Sequence, residues 1–270
     1  MIGKKEPDKK RNEMYVGSLF SGIGGIELGF KRAGFKTRWF IEKDKYAQTI
    51  IHKHWGQDAL IYEDITTVDF NTVPKVDILT GGFPCQDISN AGKRVGITGS
   101  RSSLWKYYKE AIRILRPQFA LIENVPALTR RGLDVVLSDL AEIGYDAEWY
   151  NLSASAIGAN HQRDRVFIIA YTESILQKRT VKKRDIIGKS KKEIRNGSLH
   201  DAHSESFGMW KQGVLQRNSS GFIETESRIC GVAHGIPFRV DRIRCLGNAV
   251  VPQVAEVFAQ AINQVILNEL

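Results

Sequence analysis

The sequence predicts an α/β fold: a Rossmann-like, mostly parallel sheet covered by helices on both faces, with a small inserted domain. Three observations carry this. Strand-length apolar runs alternate with segments of helical periodicity along residues 14–171. The first run breaks into a glycine turn, Ser21-Gly22-Ile23-Gly24-Gly25, that opens a helix. After a long polar stretch, one apolar helical stripe returns near the C-terminus.

In chain order, Met14–Phe20 reads as a strand, and Ile26, Phe30 and Ala33 recur at helical spacing until Gly34 stops them. Thr37–Ile41 is a strand with Glu42 at its end, followed by a helix over Lys43–Trp55. Val76–Thr80 is a short apolar strand running into Gly81-Gly82-Phe83-Pro84-Cys85. Leu104, Tyr108, Ala111 and Leu115 mark a helix ended by Pro117, and Phe119–Ile122 is a buried strand ending at Glu123. Leu133–Ile143 reads as a helix, Tyr145–Leu152 and Arg165–Tyr171 as strands. The C-terminal stripe is Val254, Val257, Phe258, Ala261 and Val265, expected to pack back on the first domain. Residues 13–171 plus 237–270 therefore form one domain, 172–236 an insertion and 1–12 a basic arm. Ligands of such folds bind at the carboxyl ends of the strands, where the glycine turn, Glu42, Cys85 and Glu123 all fall.

A hydrophobic content of 42% with 26% charged residues excludes a disordered chain, and no apolar run reaches the ~18 residues of a membrane span. The basic first twelve residues lack the apolar stretch of a secretory signal. Cys85, Cys230 and Cys245 contain no Cys-x-x-Cys pair, so neither a disulfide framework nor a zinc site is expected, and a reducing cytoplasm fits best. The net charge of +9 is concentrated: +3 in residues 1–12 and +5 in 172–236, against +1 in 13–171 and 0 in 237–270. The insertion, with Lys182, Lys183 and Arg184 at its most basic point, suits a phosphate backbone. Charge alone does not select DNA over RNA.

Glu42 lies 20 residues after Gly22, the spacing at which an acid at the second strand end accepts hydrogen bonds from a ribose. The dinucleotide fingerprint fails, because Glu27 fills its third glycine position. A nucleoside cofactor without a pyrophosphate is expected instead. Cys85 is a candidate nucleophile toward an electron-poor ring carbon, and Lys93, Arg94 and Arg101 follow it in a glycine-containing loop. Glu123 ends an apolar strand, where desolvation raises a carboxyl pKa and suits it to act as an acid toward a ring nitrogen. Arg163 and Arg165 alternate at the start of a strand and are expected to reach one site.

Five motifs in this order, Leu19-Phe20-Ser21-Gly22-Ile23-Gly24-Gly25, Gly82-Phe83-Pro84-Cys85-Gln86, Glu123-Asn124-Val125, Arg163-x-Arg165 and Gly247-Asn248-Ala249-Val250-Val251-Pro252, resemble those of the DNA (cytosine-5) methyltransferases. The resemblance covers residues 14–171 and 237–268. It implies S-adenosyl-L-methionine as cofactor, held by Phe20, Gly22, Gly24, Glu42, Asp64, Ile65, Pro84 and Asn248, with Glu42 toward the ribose and Asp64 toward the adenine amino group. It implies Cys85, Glu123, Arg163 and Arg165 as catalytic residues, and contacts to DNA from Gln86, Ser89, Lys93 and Arg101 together with the basic insertion. By position, 172–236 is similar to the family's target recognition domain. The family often has glutamine where His161 stands, a departure beside intact arginine spacing.

The implied reaction is methyl transfer to C5 of a flipped-out cytosine in a specific sequence of double-stranded DNA, by a monomer in a restriction-modification setting with a separate endonuclease. Two other readings compete. An RNA cytosine-5 methyltransferase shares the thiol chemistry, but the sizeable insertion favours DNA. An inactive sequence-specific DNA-binding protein is opposed by intact Cys85, Glu123, Gly22 and Gly24.

Overall fold

The computed structural model describes residues 13–84, 104–172, 174–175 and 239–267. Seven strands form one sheet: β1 (Tyr15–Leu19), β2 (Lys36–Ile41), β3 (Ile61–Tyr62), β4 (Ile78–Gly82), β5 (Phe119–Asn124), β6 (Tyr145–Leu152) and β7 (Arg165–Thr172). Their order is β3-β2-β1-β4-β5-β7-β6. The pairings among β1 to β5 are all parallel, and β7 runs antiparallel to both β5 and β6. The expected mostly parallel α/β sheet is therefore present. Strand order reverses direction between β1 and β4, and a crevice opens at the carboxyl ends on either side of such a switch.

Helices α1 (Gly25–Arg32), α2 (Lys45–Trp55), α3 (Leu104–Leu115), α4 (Leu128–Arg131), α5 (Leu133–Glu142), α6 (Arg239–Asn248) and α7 (Pro252–Leu267), with a 3-10 turn over Ala154–Ile157, complete the described elements. One face of the sheet packs Leu19, Leu79, Ala120 and Ile122 against Trp105, Tyr108 and Ile112 of α3. The other packs Val16, Ile78, Leu121 and Phe167 against Phe30 of α1 and Phe258 of α7. Strand alternation thus assigns each residue to a face. Ser18, Thr80, Gly82 and Glu123 belong to the α1 and α7 side.

Local chemistry sets the boundaries. Asp44 caps α2 by accepting from the Ala47 N–H at 3.0 Å, which starts that helix two residues later than the sequence reading. Gly34, with φ +93°, ends α1 as expected. The two-residue strand β3 and the single turn of α4 are too short to leave a periodic signal, and the sequence reading omitted both. The fourth strand is displaced toward the C-terminus: Asp77 accepts the Tyr15 N–H at 2.8 Å before the strand, and Gly81 and Gly82 lie inside it.

The C-terminal helix returns to the first domain, as expected, but rotated from the expected stripe. Its buried face is Val254, Ala255, Phe258, Ala259 and Ile262, while Val257 and Ala261 are only half-buried. The cause is close helix approach: any Cβ on Gly29 of α1 would overlap the Pro252 carbonyl oxygen and the Ala255 Cβ. Small residues therefore take the contact line. By length and composition the stretch Val240–Leu267 passes as long and apolar enough to cross a membrane, although Asp241, Arg242 and Arg244 keep it from being an unbroken apolar run. Its α7 part is a core helix, broken from α6 before Pro252.

Candidate active site and cofactor pocket

The glycine turn leaves β1 through Phe20, which adopts φ +53° while its ring packs 6.4 Å from that of Tyr108. Gly22 follows at φ +54°, and a Cβ there would meet nothing within 4 Å. The outward face of the turn is open for a ligand to approach the backbone. Glu42, the residue after β2, accepts the Gly22 N–H at 2.6 Å on one carboxylate oxygen and the Asp44 N–H at 2.7 Å on the other. Burial is the largest influence on this carboxyl and raises its pKa, against the pull of those backbone donors.

Gly24 is also packed from within the protein. Its missing Cβ is filled by the Trp55 ring, and its φ of +81° excludes ordinary side chains. Trp55 sits edge-on to Phe40, 5.2 Å between centroids, so the second helix braces the turn from behind. Asp64 lies two residues beyond β3, next to the end of β2. Its Oδ2 accepts from Lys43 Nζ at 2.7 Å and its Oδ1 from Thr66, and the Lys43 hydrogen bond leads the influences that lower its pKa to about 2. Ile65 is buried in the core.

Asn248 ends α6 and is exposed. The segment after it docks on the turn: the Val250 carbonyl oxygen occupies the space of a Cβ on Gly25. Residues more than 200 positions apart are thereby brought together. Behind the turn, Gly24, Trp55, His161, Arg163 and Val250 line a groove of about 480 Å³. An open glycine face flanked by Glu42 and the Asn248 segment fits a nucleoside-bearing cofactor without a pyrophosphate.

On the other side of the switch, Glu123 is buried on β5 beside Gly82, with which it pairs in register. A Cβ on Gly82 would overlap Glu123 Oε2, so this glycine makes room for the carboxyl. Arg165 Nε lies 2.9 Å from Glu123 Oε1. Burial nevertheless outweighs the arginines and raises the Glu123 pKa to about 6. Arg163 lies outside the strand, with φ +39°, and donates to the carbonyls of Gly247, at 2.9 Å, and Ala249. The expected alternation of two arginines along one strand is thus replaced by a bend that aims Arg163 at the residues flanking Asn248.

Two positions that the sequence reading quoted only within motifs help to build the site. Asn124 Nδ2 donates to the Phe83 carbonyl at 3.2 Å, anchoring the strand end that leads to Pro84. Gly82 is the other, and a polar residue directly after Glu123 with paired glycines opposite was the available signal. Pro84 is half-buried immediately after Phe83. Cys85, Gln86, Ser89, Lys93, Arg94, Arg101, Lys182, Lys183 and Arg184 lie outside the described residues, as does the insertion beyond residue 175.

The family model for C-5 cytosine-specific DNA methylases matches residues 14–229. The chain belongs to that family. Among curated proteins, it is 39% identical to the type II methyltransferase M2.BsuMI of Bacillus subtilis over 165 residues, covering 58% of this chain and 42% of that one. It is 35% identical to the type II methyltransferase M.NgoBI of Neisseria gonorrhoeae over 161 residues, 58% of this chain and 50% of that one. The chain spans half or less of the length of these curated relatives. Among solved structures, the Entamoeba histolytica methyltransferase EhMeth superposes with a TM-score of 0.62 at 16% identity, over 96% of this chain and 99% of that one, a likeness of fold.

Proposed function

We propose that this chain methylates C5 of a cytosine flipped out of a specific sequence in double-stranded DNA, with S-adenosyl-L-methionine as donor. The observation that carries the reading is the buried Glu123, held by Arg165 and seated over Gly82, beside the strand end that continues to Pro84-Cys85. When bound, the cofactor supplies an electrophilic methyl carbon on a sulfonium. Phe20, Gly22 and Glu42 form its side of the crevice, with Glu42 oriented by two backbone N–H groups. Asp64, Ile65, Pro84, Gly24 and Asn248 complete or brace it.

Cytosine C5 is a poor nucleophile until C6 carries an added group. The Cys85 thiolate forms a bond to C6 while Glu123 donates its proton to N3, so the electron pair of C5=C6 becomes available at C5 and takes the methyl group. Loss of the C5 proton to a water base then returns a pair to C5=C6 as the S–C6 bond breaks with its electron pair on Cys85, and N3 gives its proton back to Glu123. A Glu123 pKa near 6 allows the proton to be held and given up near neutrality. Arg165 holds Glu123 and reaches the base O2, and Arg163 supports the cofactor side.

Flipping the base costs a few kcal/mol. Gln86, Ser89, Lys93 and Arg101, with Lys182, Lys183 and Arg184 of a target recognition domain over 172–236, supply the compensating DNA contacts. The protein acts as a monomer in the cytoplasm, in a restriction-modification setting with a separate endonuclease.

The test uses duplex DNA carrying 5-fluorocytosine with S-adenosylmethionine. The fluorine cannot leave as a proton does, so wild-type protein is expected to remain covalently bound on a denaturing gel and Cys85→Ala to be free of adduct. No wild-type adduct, or methyl transfer by Cys85→Ala, overturns the reading.

A further inference from the structure

Glu27 stands where the dinucleotide fingerprint has its third glycine, and nothing in the proposed reaction uses it. Its side chain is 1% exposed, at the start of α1 just after the glycine turn. The carboxyl points at the sheet. Oε1 accepts from Thr80 Oγ1 at 2.8 Å, and Oε2 is buried with no hydrogen-bond partner. Thr80 and Ser18 are fully buried and face each other in register across β4 and β1. The Ser18 hydroxyl, beside the same carboxyl, donates to Ser21 Oγ at 2.7 Å, inside the turn itself. A polar string therefore runs from Ser21 through Ser18 and Glu27 to Thr80, inside a layer otherwise packed by Val16, Phe30, Ile78 and Leu121.

The string joins two functional strand ends. Ser18 is two residues before Phe20 and four before Gly22, and Thr80 is two before Gly82 and four before Pro84. The N-cap residue, Gly24, makes no side-chain cap hydrogen bond, and its N–H is taken by the Ser21 carbonyl at 2.9 Å. Glu27 is consequently the side chain that ties the first turn of α1 to the sheet in a directional way, whereas Ile26 and Phe30 hold it by packing alone. Unpaired buried polar atoms are rare in native proteins, and an apolar residue of similar size would fill this place without one.

We propose that Glu27 is a positioning residue of the methyl-transfer site: through Ser18 and Thr80 it sets the glycine turn against the strand end that carries Gly82 to Pro84. Burial is the first influence on this carboxyl and raises its pKa, against the hydrogen bonds made to it, which shifts it toward the uncharged form. A neutral amide of the same shape then replaces it. The nearby charged or titratable groups that act on this pair are Glu42 at the end of β2 and Tyr108 on α3.

The proposal rests on the cofactor reading above, and the test separates the two. Wild type, Glu27→Gln and Glu27→Leu are titrated calorimetrically with S-adenosylmethionine, and their thermal unfolding is recorded. Thr80 retains the Gly17 carbonyl at 3.4 Å as an acceptor, so Glu27→Leu is expected to fold with equal or higher Tm. Its cofactor Kd is expected to rise about tenfold, the size of one lost hydrogen bond, while Glu27→Gln stays within about threefold of wild type. A Glu27→Leu protein with wild-type affinity, or a Glu27→Gln protein as weak as Glu27→Leu, overturns the positioning role. Failure of wild type itself to bind S-adenosylmethionine overturns the cofactor reading instead.

Discussion

The two sides of the crevice each present a carboxylate at a strand end, yet they treat it in different ways. Glu42 follows β2 and receives two backbone N–H groups, one on each oxygen. Glu123 sits in β5, receives a guanidinium from Arg165 and still has its pKa raised to about 6. Backbone donors come with the fold and orient an acceptor, which suits binding. Burial raises the pKa of both carboxyls, and Glu123, which reaches about 6 despite its cationic partner, is poised between two protonation states near neutrality, which suits proton transfer. Location at a strand end therefore nominates a carboxylate, and its partners decide what it does.

The largest way to break this contrast is Glu123→Gln. The variant keeps the shape and loses the transferable proton, and kcat is expected to fall by about 10²- to 10⁴-fold. Its affinity for S-adenosylmethionine, measured without DNA, should stay at the wild-type value. A kcat within a few-fold of wild type in a methyl-transfer assay would remove Glu123 from the proton path.

A second comparison uses pH. The Glu123 pKa lies above its ordinary value of 4.5, so the folded protein binds more protons than the unfolded chain between about pH 4.5 and 6. Stability associated with this group is present below 4.5 and declines as pH rises through about 6, by about 2 kcal/mol. Glu123→Gln should therefore show a smaller loss of stability between pH 4.5 and 7.5 than wild type in urea titrations. Parallel pH profiles for the two proteins would show that the carboxyl is not desolvated as described.

Two added methyl groups sharpen the comparison by striking one side each. In Gly25→Ala the new Cβ meets the Val250 carbonyl, a backbone atom, and in Gly82→Ala it meets the Glu123 carboxylate. The first is expected to weaken S-adenosylmethionine binding about tenfold and cost about 1–3 kcal/mol of stability. The second should lower kcat about tenfold with little change in cofactor affinity, because a side chain can give way where a carbonyl cannot. Calorimetry and methyl-transfer kinetics on the pair read the difference, and identical phenotypes would show one undivided site.

The smallest expected effect tests the link between the sides. Arg163 lies close enough to the base-side cluster for its charge to act on Glu123, yet it donates to Gly247 and Ala249. Arg163→Ala should raise the Kd for S-adenosylmethionine about three- to tenfold in the absence of DNA, the loss of roughly one net hydrogen bond. An unchanged Kd would return Arg163 to the base pocket alone.

Much of this was legible in the residues. The alternation of apolar runs predicted the sheet, and Glu42 and Glu123 were placed at strand ends because strand length and carboxylate position are both local properties. The rotation of α7 was not legible, since it depends on how closely Gly29 lets two helices approach. Gly24 was legible only in part: its positive φ is written in the local turn, but the Trp55 ring that fills the place of its missing Cβ arrives from another element.

By itself, then, the sequence determined the order of elements, the turn chemistry and the residue types available at each strand end, because these follow from periodicity and backbone sterics over a few residues. Only the tertiary structure decided the partners: Arg165 for Glu123, the carbonyls of Gly247 and Ala249 for Arg163, Thr80 for Glu27 and Val250 against Gly25. Partners set desolvation and charge compensation, and those depend on segments as far apart as Gly25 and Val250, which meet only when the C-terminal helix closes the second face of the sheet.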